Sequence, residues 1–209
     1  MKYQHIVFDI DGTLINTEHA ILHSLQDTLE ECIHEKVPIK QLLFVMGITG
    51  EDALRQLKIN NIPLSLKLWE ENIKKYSNTI TVYDGIQELL NSLSECDCKI
   101  GIVTSKTKAE FKDDFDRFGL NHYFKTIICA DDTTEHKPSP EPLLKYIEIS
   151  GACNEQILYI GDSKYDSLCA KNAEVDFALA MWGSHTRELE ADYFIETPNA
   201  LLVQRIINN

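Results

Sequence analysis

The sequence predicts an α/β protein: a parallel sheet with helices on both faces, interrupted once by an inserted helical subdomain. Three observations predict it. Short β-branched runs recur along the 209 residues, segments of helical period separate most of them, and the interval of about 65 residues after the first run shows helical patterns only.

The first run is "HIVF" at residues 5–8, apolar enough for a buried strand. Residues 16–80 hold helical stretches such as "EHAILHSLQDTLEECI" and "EDALRQLKI", broken at Pro38, Gly47, Gly50 and Pro63. Alternation then returns. Residues 84–93, 106–118, 140–149 and 166–172 read as helices between the strands "KIGIVT" (99–104), "KTIICA" (125–130) and "QILYIG" (156–161), and "FALAM" (177–181) and "DYFIE" (192–196) close the series. The expected organisation is a core of residues 1–15 and 81–209, with an insertion at 16–80 hinged near residues 16–17 and 79–82.

Composition narrows the partners. With 44% hydrophobic residues the chain can bury a substantial core. Lys and Arg number 20 against 33 Asp and Glu, a net charge of −13 that argues against nucleic acid and anionic membrane surfaces. Handling an anionic substrate would then require a metal ion or a local positive site. No apolar run nears the roughly 20 residues of a membrane span, and "MKYQHIVFDI" has no signal-peptide core, so a soluble, cytoplasmic protein is expected. A monomer or weak homodimer is the expected state. The six cysteines lack C-x-x-C spacing and read as reduced thiols.

In open parallel sheets the ligand lies beyond the carboxyl ends of the strands, where strand order reverses. Strand one ends in Asp9-Ile10-Asp11-Gly12-Thr13, the second core strand in Thr104-Ser105-Lys106, and "QILYIG" runs into Asp162-Ser163-Lys164-Tyr165-Asp166. "HKPSPEP" (136–142) puts Lys137 just before a proline-marked helix start. If these ends converge, strand one lies between the other two. Asp9 and Asp11 would crowd each other on one side of a strand unless the strand ends between them or a cation sits beside them.

Carboxylates, a hydroxyl and an ammonium at strand ends suit phosphoryl transfer. Mg²⁺ would hold Asp9 and Asp162 together and attract a phosphate dianion. One carboxylate can then attack phosphorus while the other lends a proton to the leaving oxygen and later takes one from water. Gly12 lets the backbone approach the phosphate, and Thr104 and Lys137 can bind its oxygens. Thr13, Ser105 and Lys106, their neighbours at the strand ends, are further candidates for substrate contact.

The motifs "DIDGT", "VTSK", "HKPSPEP" and "GDSKYD", in that order, resemble those of the haloacid dehalogenase-like phosphatases, and the likeness covers nearly the whole chain. The insertion resembles that family's helical cap of the first type, and "AMWGS" with "EADYFIETPNALL" resembles the tail of its phosphoglycolate phosphatase-like subgroup. The resemblance implies a Rossmann-like three-layer core and a Mg²⁺-dependent phosphatase for a small phosphorylated metabolite, phosphoglycolate or pyrophosphate leading. It implies Asp9 as nucleophile, Asp11 as general acid/base, Thr104 and Lys137 as phosphate ligands, and Asp162 as a Mg²⁺ ligand. Asp11 would reach the metal through its backbone carbonyl, and Asp166 would support the metal through water or Lys137. One departure is Glu174, where relatives usually carry glycine.

Alternatives are a hexose-phosphate mutase with the same four motifs and a phosphoacceptor receiver domain. A receiver puts its phosphorylated Asp on a middle strand, whereas the candidate here is on the first. Other residues read more simply: His19 and His23 as a solvated or cap-facing pair, Asp131, Asp132 and His136 as a loop, and Trp69 and Trp182 as packing anchors. Asp166 could equally open a helix as an N-terminal acid. Gly47-Ile48-Thr49-Gly50 fits either a turn between helices or a loop facing the substrate.

Overall fold

A computed structural model describes residues 2–203. Six strands form one sheet in the order β5-β4-β1-β6-β7-β8, all parallel: β1 His5–Phe8, β4 Lys99–Val103, β5 Phe124–Ile128, β6 Ile157–Gly161, β7 Asp176–Ala180 and β8 Tyr193–Ile195. β1 runs between β4 and β6, with His5 opposite both Lys99 and Ile157, so strand order reverses at its carboxyl end. All four of its residues are buried, Ile6, Val7 and Phe8 as an apolar run and His5 with its Nδ1 3.0 Å from the Tyr146 hydroxyl.

Side chains alternate across that strand. Ile6 and Phe8 join Ile100, Ile102, Leu89 and Leu93 in one core layer, while Val7 joins Val103, Tyr159, Ile157 and Leu179 in the other. The first layer is covered by α5 (Ile86–Ser94) and α6 (Lys108–Asp114), the second by α7 (Glu141–Ser150) and α8 (Lys164–Asn172). The sequence expectation ran α6 through Phe118, but the helix stops at Asp114 and a tighter turn takes over at Asp116–Phe118, capped by Gly119 at φ 69°.

The insertion is helical, as its breakers and periodicity suggest. It comprises α1 (Glu18–Ile33), α2 (Ile39–Leu42), α3 (Gly50–Gln56) and α4 (Ile62–Ile73). Leu22, Leu25 and Leu29 form the apolar stripe of α1 and pack with Leu42, Val45 and Leu54 in a third core of their own. Asn61 caps α4 through its side chain, and Pro63 occupies the first turn, where its missing N–H is harmless. Two hydroxyls of α1 tie it to α4: Trp69 Nε1 donates to Ser24 Oγ (2.8 Å) and Asn72 Nδ2 to Thr28 Oγ1 (3.0 Å).

Helical periodicity did not anticipate the neck. β2 (Ile15–Asn16) and β3 (Thr81–Val82) pair antiparallel, Ile15 with Val82 and Asn16 with Thr81, where the chain leaves and re-enters the sheet domain. Two-residue strands carry no readable alternation. Arg117 braces the return strand, its Nη2 donating to the carbonyls of Ser77 (2.7 Å) and Ile80 (3.2 Å).

Glu174, just after α8, sits at φ 56°, in the left-handed region that glycine occupies without strain. It is exposed. Glu174→Gly should therefore raise stability by about 0.5–1 kcal/mol, strain relief exceeding glycine's extra chain entropy. A denaturation midpoint that falls would show that the Glu174 side chain makes a stabilising contact.

Candidate active site

The four motifs meet at the carboxyl end of β1. Asp9 follows the strand directly, its N–H donating to the Ile160 carbonyl (2.8 Å), and its side chain is buried. Lys137 Nζ bridges Asp9 Oδ1 and Asp166 Oδ1 at 2.7 Å each. Asp9 Oδ2 is buried without a hydrogen-bond partner. One oxygen of Asp9 is thus fixed and the other left over.

Asp166 is doubly committed. Oδ1 also lies 2.8 Å from the Tyr159 hydroxyl, and Oδ2 accepts from Ser163 N (3.1 Å) and Ser163 Oγ (2.5 Å) in a capping box that opens α8. Asp166 starts a helix, as one sequence reading has it, and it also bonds Lys137, the contact through which the other reading has it support a metal. With its lone pairs taken this way, it suits a positioning role better than a direct bond to a metal.

Asp11 is half-buried. Its Oδ1 lies 3.1 Å from Lys106 Nζ, close enough for charge attraction, yet receives no hydrogen bond. Lys106 donates instead to Asp114 Oδ2 (2.6 Å). Burial alone would lower the pKa of Lys106, but the Asp11 and Asp114 carboxylates outweigh it and the ammonium stays charged. Lys106 thus sits between Asp11 and Asp114, and it also lines the cavity above Asp9, where sequence suggested a substrate contact. Asp114 escaped the sequence reading because an acid eight residues downstream of a lysine carries no periodic signal.

Ser105 and Thr13, also expected at the substrate, have other partners. Ser105 Oγ donates to the Gly47 carbonyl (2.9 Å) and so links the sheet domain to the insertion. Thr13 Oγ1 donates to Asp162 Oδ1 (3.3 Å), and its carbonyl accepts from Trp182 Nε1 (2.9 Å). Thr104 is buried, and its Oγ1 accepts from Lys106 N (3.2 Å). Gly12 has φ 79°, and a Cβ there would lie 2.2 Å from Asp162 Oδ2. Glycine is required both by the turn and by the approach of that carboxylate. Gly183, within the "AMWGS" segment, meets the Gly12 carbonyl so closely that a Cβ would sit 1.7 Å from it.

The acids outnumber the bases. Burial pushes the Asp9 carboxyl up to about 7, opposed by Lys137 and reinforced by Asp166 and Asp11. Asp162 is pushed well above the carboxylate range, first by burial and then by Asp166 and Asp9. Among the described residues, Asp9, Asp162 and Asp166 form the cluster of acids close enough to share an ion, with oxygens within 4.8 Å of one another. An oxygen-only donor set, an unpartnered Asp9 Oδ2 and a charge excess that one lysine does not balance fit a hard divalent cation.

His19 and His23 stack at 3.9 Å beside Tyr76, outside that cluster. Asp131 and Asp132 hold the start of α6: Asp131 Oδ2 accepts from Lys108 N (2.6 Å) and Asp132 Oδ1 pairs with Lys108 Nζ (2.5 Å). Gly47, Ile48 and Gly50 face the cavity above Asp9, and Thr49 caps α3. Trp69 anchors α4 to α1 and also lines that cavity. All six cysteines are free. No helix among the described residues is long and apolar enough to cross a membrane.

A parallel sheet carrying its acids at the switch point, with a helical insertion after the first strand, defines a hydrolase class, and the family's sequence model bears this out. It matches residues 6–180, and the chain belongs to the haloacid dehalogenase-like hydrolases. Among its relatives, pyrophosphatase PpaX of Halalkalibacterium halodurans is 30% identical over 207 residues, 97% of this chain and 96% of that one. A provisionally assigned pyrophosphatase PpaX of Caldanaerobacter subterraneus is 32% identical over 201 residues, 94% and 91% of the two chains. A crystal structure from Lactobacillus plantarum, provisionally assigned as a phosphoglycolate phosphatase, superposes with a TM-score of 0.89 at 29% identity, covering 97% of this chain and 99% of the other.

Proposed function

We propose that the protein is a Mg²⁺-dependent phosphatase that hydrolyses a small phosphorylated metabolite through an aspartyl phosphate on Asp9. The observation that carries this reading is the asymmetry of Asp9: Lys137 holds Oδ1 at 2.7 Å while Oδ2 is buried without a partner. An oxygen so presented can attack phosphorus. The relatives' names, pyrophosphatase and phosphoglycolate phosphatase, support a phosphate-ester or anhydride substrate.

In this reading Asp9 Oδ2 forms a bond to phosphorus as the bond to the leaving oxygen breaks, and Asp11 gives that oxygen its proton. Water then attacks the phosphorylated Asp9, losing its proton to Asp11, and the Asp9–phosphorus bond breaks to release phosphate. Thr104 and Lys137 bind the phosphoryl oxygens, with Gly12 leaving room for them. Asp166 keeps Lys137 in place, and Lys106, held by Asp114, does the same for Asp11. Asp9 and Asp162, with the Asp11 main-chain carbonyl, would hold Mg²⁺. When bound, the ion supplies the positive charge that keeps these acids ionised and offsets the phosphate dianion. Residues 16–80 would act as a cap moving on the neck formed by β2 and β3, excluding water from the site.

Phosphate release should require Mg²⁺ and vanish in chelator; full activity in chelator would refute the metal assignment. A second readout is stability. Without metal, folded Asp9 and Asp162 bind protons that the unfolded chain sheds above its ordinary carboxylate pKa near 3.8, so stability should fall as pH rises from about 4 through 7. Lys137, whose pKa is raised, titrates far above this window and contributes no slope there. Saturating Mg²⁺ should flatten the decline, measured as melting temperature against pH.

A further inference from the structure

The phosphoryl site opens into a cavity of about 510 Å³ between the insertion and the sheet domain. That lies within the roughly 300–1,000 Å³ range of pockets that take drug-sized ligands. Glycolate or phosphate, the groups that would leave from phosphoglycolate or pyrophosphate, would occupy little of it. One part of the wall is apolar: Ile21, Val45, Ile48, Leu66, Trp69 and Ile73 line it. Trp69 is fixed there, because its indole N–H is satisfied by Ser24 on the far helix.

Charge around the same cavity runs against a second anion. Beyond Asp9 and Asp11, its lining includes Glu70, Glu110, Asp113 and Asp114, with Lys74 and Lys106 as the lining cations among the described residues. Lys106 is taken by Asp114 and Asp11. Lys74 is exposed, one helical turn from Glu70. A carboxylate or phosphate on the leaving group would therefore meet acids and apolar surface.

We infer that this site selects phosphomonoesters whose leaving alcohol is bulky, apolar and free of negative charge, rather than pyrophosphate or phosphoglycolate. The inference rests on the phosphatase reading and narrows its substrate class. The apolar wall gains by excluding water from Trp69 and its aliphatic neighbours, and the acids at the rim tolerate a neutral or cationic group and repel an anionic one.

The test is phosphate release with Mg²⁺ from benzyl phosphate, 4-carboxybenzyl phosphate, 2-phosphoglycolate, pyrophosphate and acetyl phosphate. The two benzyl esters differ in charge while their alcohols are similar leaving groups. Benzyl phosphate should exceed 4-carboxybenzyl phosphate, 2-phosphoglycolate and pyrophosphate in kcat/KM by about 10-fold or more. Glu70→Lys, at an exposed position, should shrink the benzyl to carboxybenzyl ratio by about 5-fold. If pyrophosphate or 2-phosphoglycolate matches benzyl phosphate, or acetyl phosphate alone is cleaved, the inference fails and the phosphatase reading stands. An unmoved ratio in Glu70→Lys removes the charge argument and with it the inference. No release from any of the five, acetyl phosphate included, ends both.

Discussion

Asp9→Asn should abolish turnover, lowering kcat by at least about 10⁴, while leaving the protein folded. Asparagine keeps the shape of the side chain but replaces one carboxylate oxygen with an amide nitrogen and removes the negative charge that attack requires. The fold tolerates this because the carboxylate is costly where it stands: burial pushes it up to about 7 among other acids. Lys137 does not lose its only partner, since Asp166 remains at 2.7 Å. Metal-free Asp9→Asn should therefore melt above the wild type at pH 8, with the gap shrinking toward pH 4, because only near the ordinary carboxylate pKa of 3.8 is wild-type Asp9 protonated in both the folded and the unfolded chain. A variant retaining a tenth of the wild-type rate would remove Asp9 as nucleophile. One that is inactive but no more stable at pH 8 would show that the charge is not the burden the burial implies.

The parts legible in sequence were those with a local signal. β1 could be placed to the residue, because a histidine and three apolar residues followed by two acids and a glycine leave little choice of boundary. Its position between β4 and β6 followed from requiring three polar strand ends to converge. The opening of α8 was legible only in part: sequence pointed to Asp166 as an N-terminal acid and to a helix from residue 166, whereas the helix starts at Lys164 behind a Ser163–Asp166 capping box. What sequence hid was set by distant geometry. Lys106 and Ser105 belong to the motif, yet one is turned toward Asp11 and Asp114 and the other toward the Gly47 carbonyl, pairings that depend on how α6 and the insertion dock. Tyr159 looks like an ordinary core strand residue, and only the burial of Asp166 shows why a hydroxyl belongs there. Trp69 had two uses, and its packing role concealed its place on the cavity wall.

Asp11→Asn should change which half of the reaction is slow. Asp11 lies two residues beyond Asp9, its oxygen 3.1 Å from Lys106, and Lys106 keeps its bond to Asp114 when that charge is removed, so the buried ammonium stays paired and the fold survives. In the proposed mechanism Asp11 protonates the leaving oxygen as general acid and, as general base, activates the water that attacks phosphorylated Asp9. p-Nitrophenolate leaves readily without a proton, so with p-nitrophenyl phosphate the first step should suffer little. The second step cannot avoid its base, and its loss should cost on the order of 10² to 10⁴ in rate. Asp11→Asn should then release a burst of about one p-nitrophenolate per enzyme, matching one covalent site. It should also accumulate the mass of one phosphoryl group on Asp9, read by intact-protein and peptide mass spectrometry. Equal slowing for good and poor leaving groups, with neither burst nor adduct, would assign Asp11 to holding the site together. The role of Lys106 would then change with it, since a lysine fixed by Asp114 beside a purely structural carboxylate is a core ion pair and not a support for proton transfer.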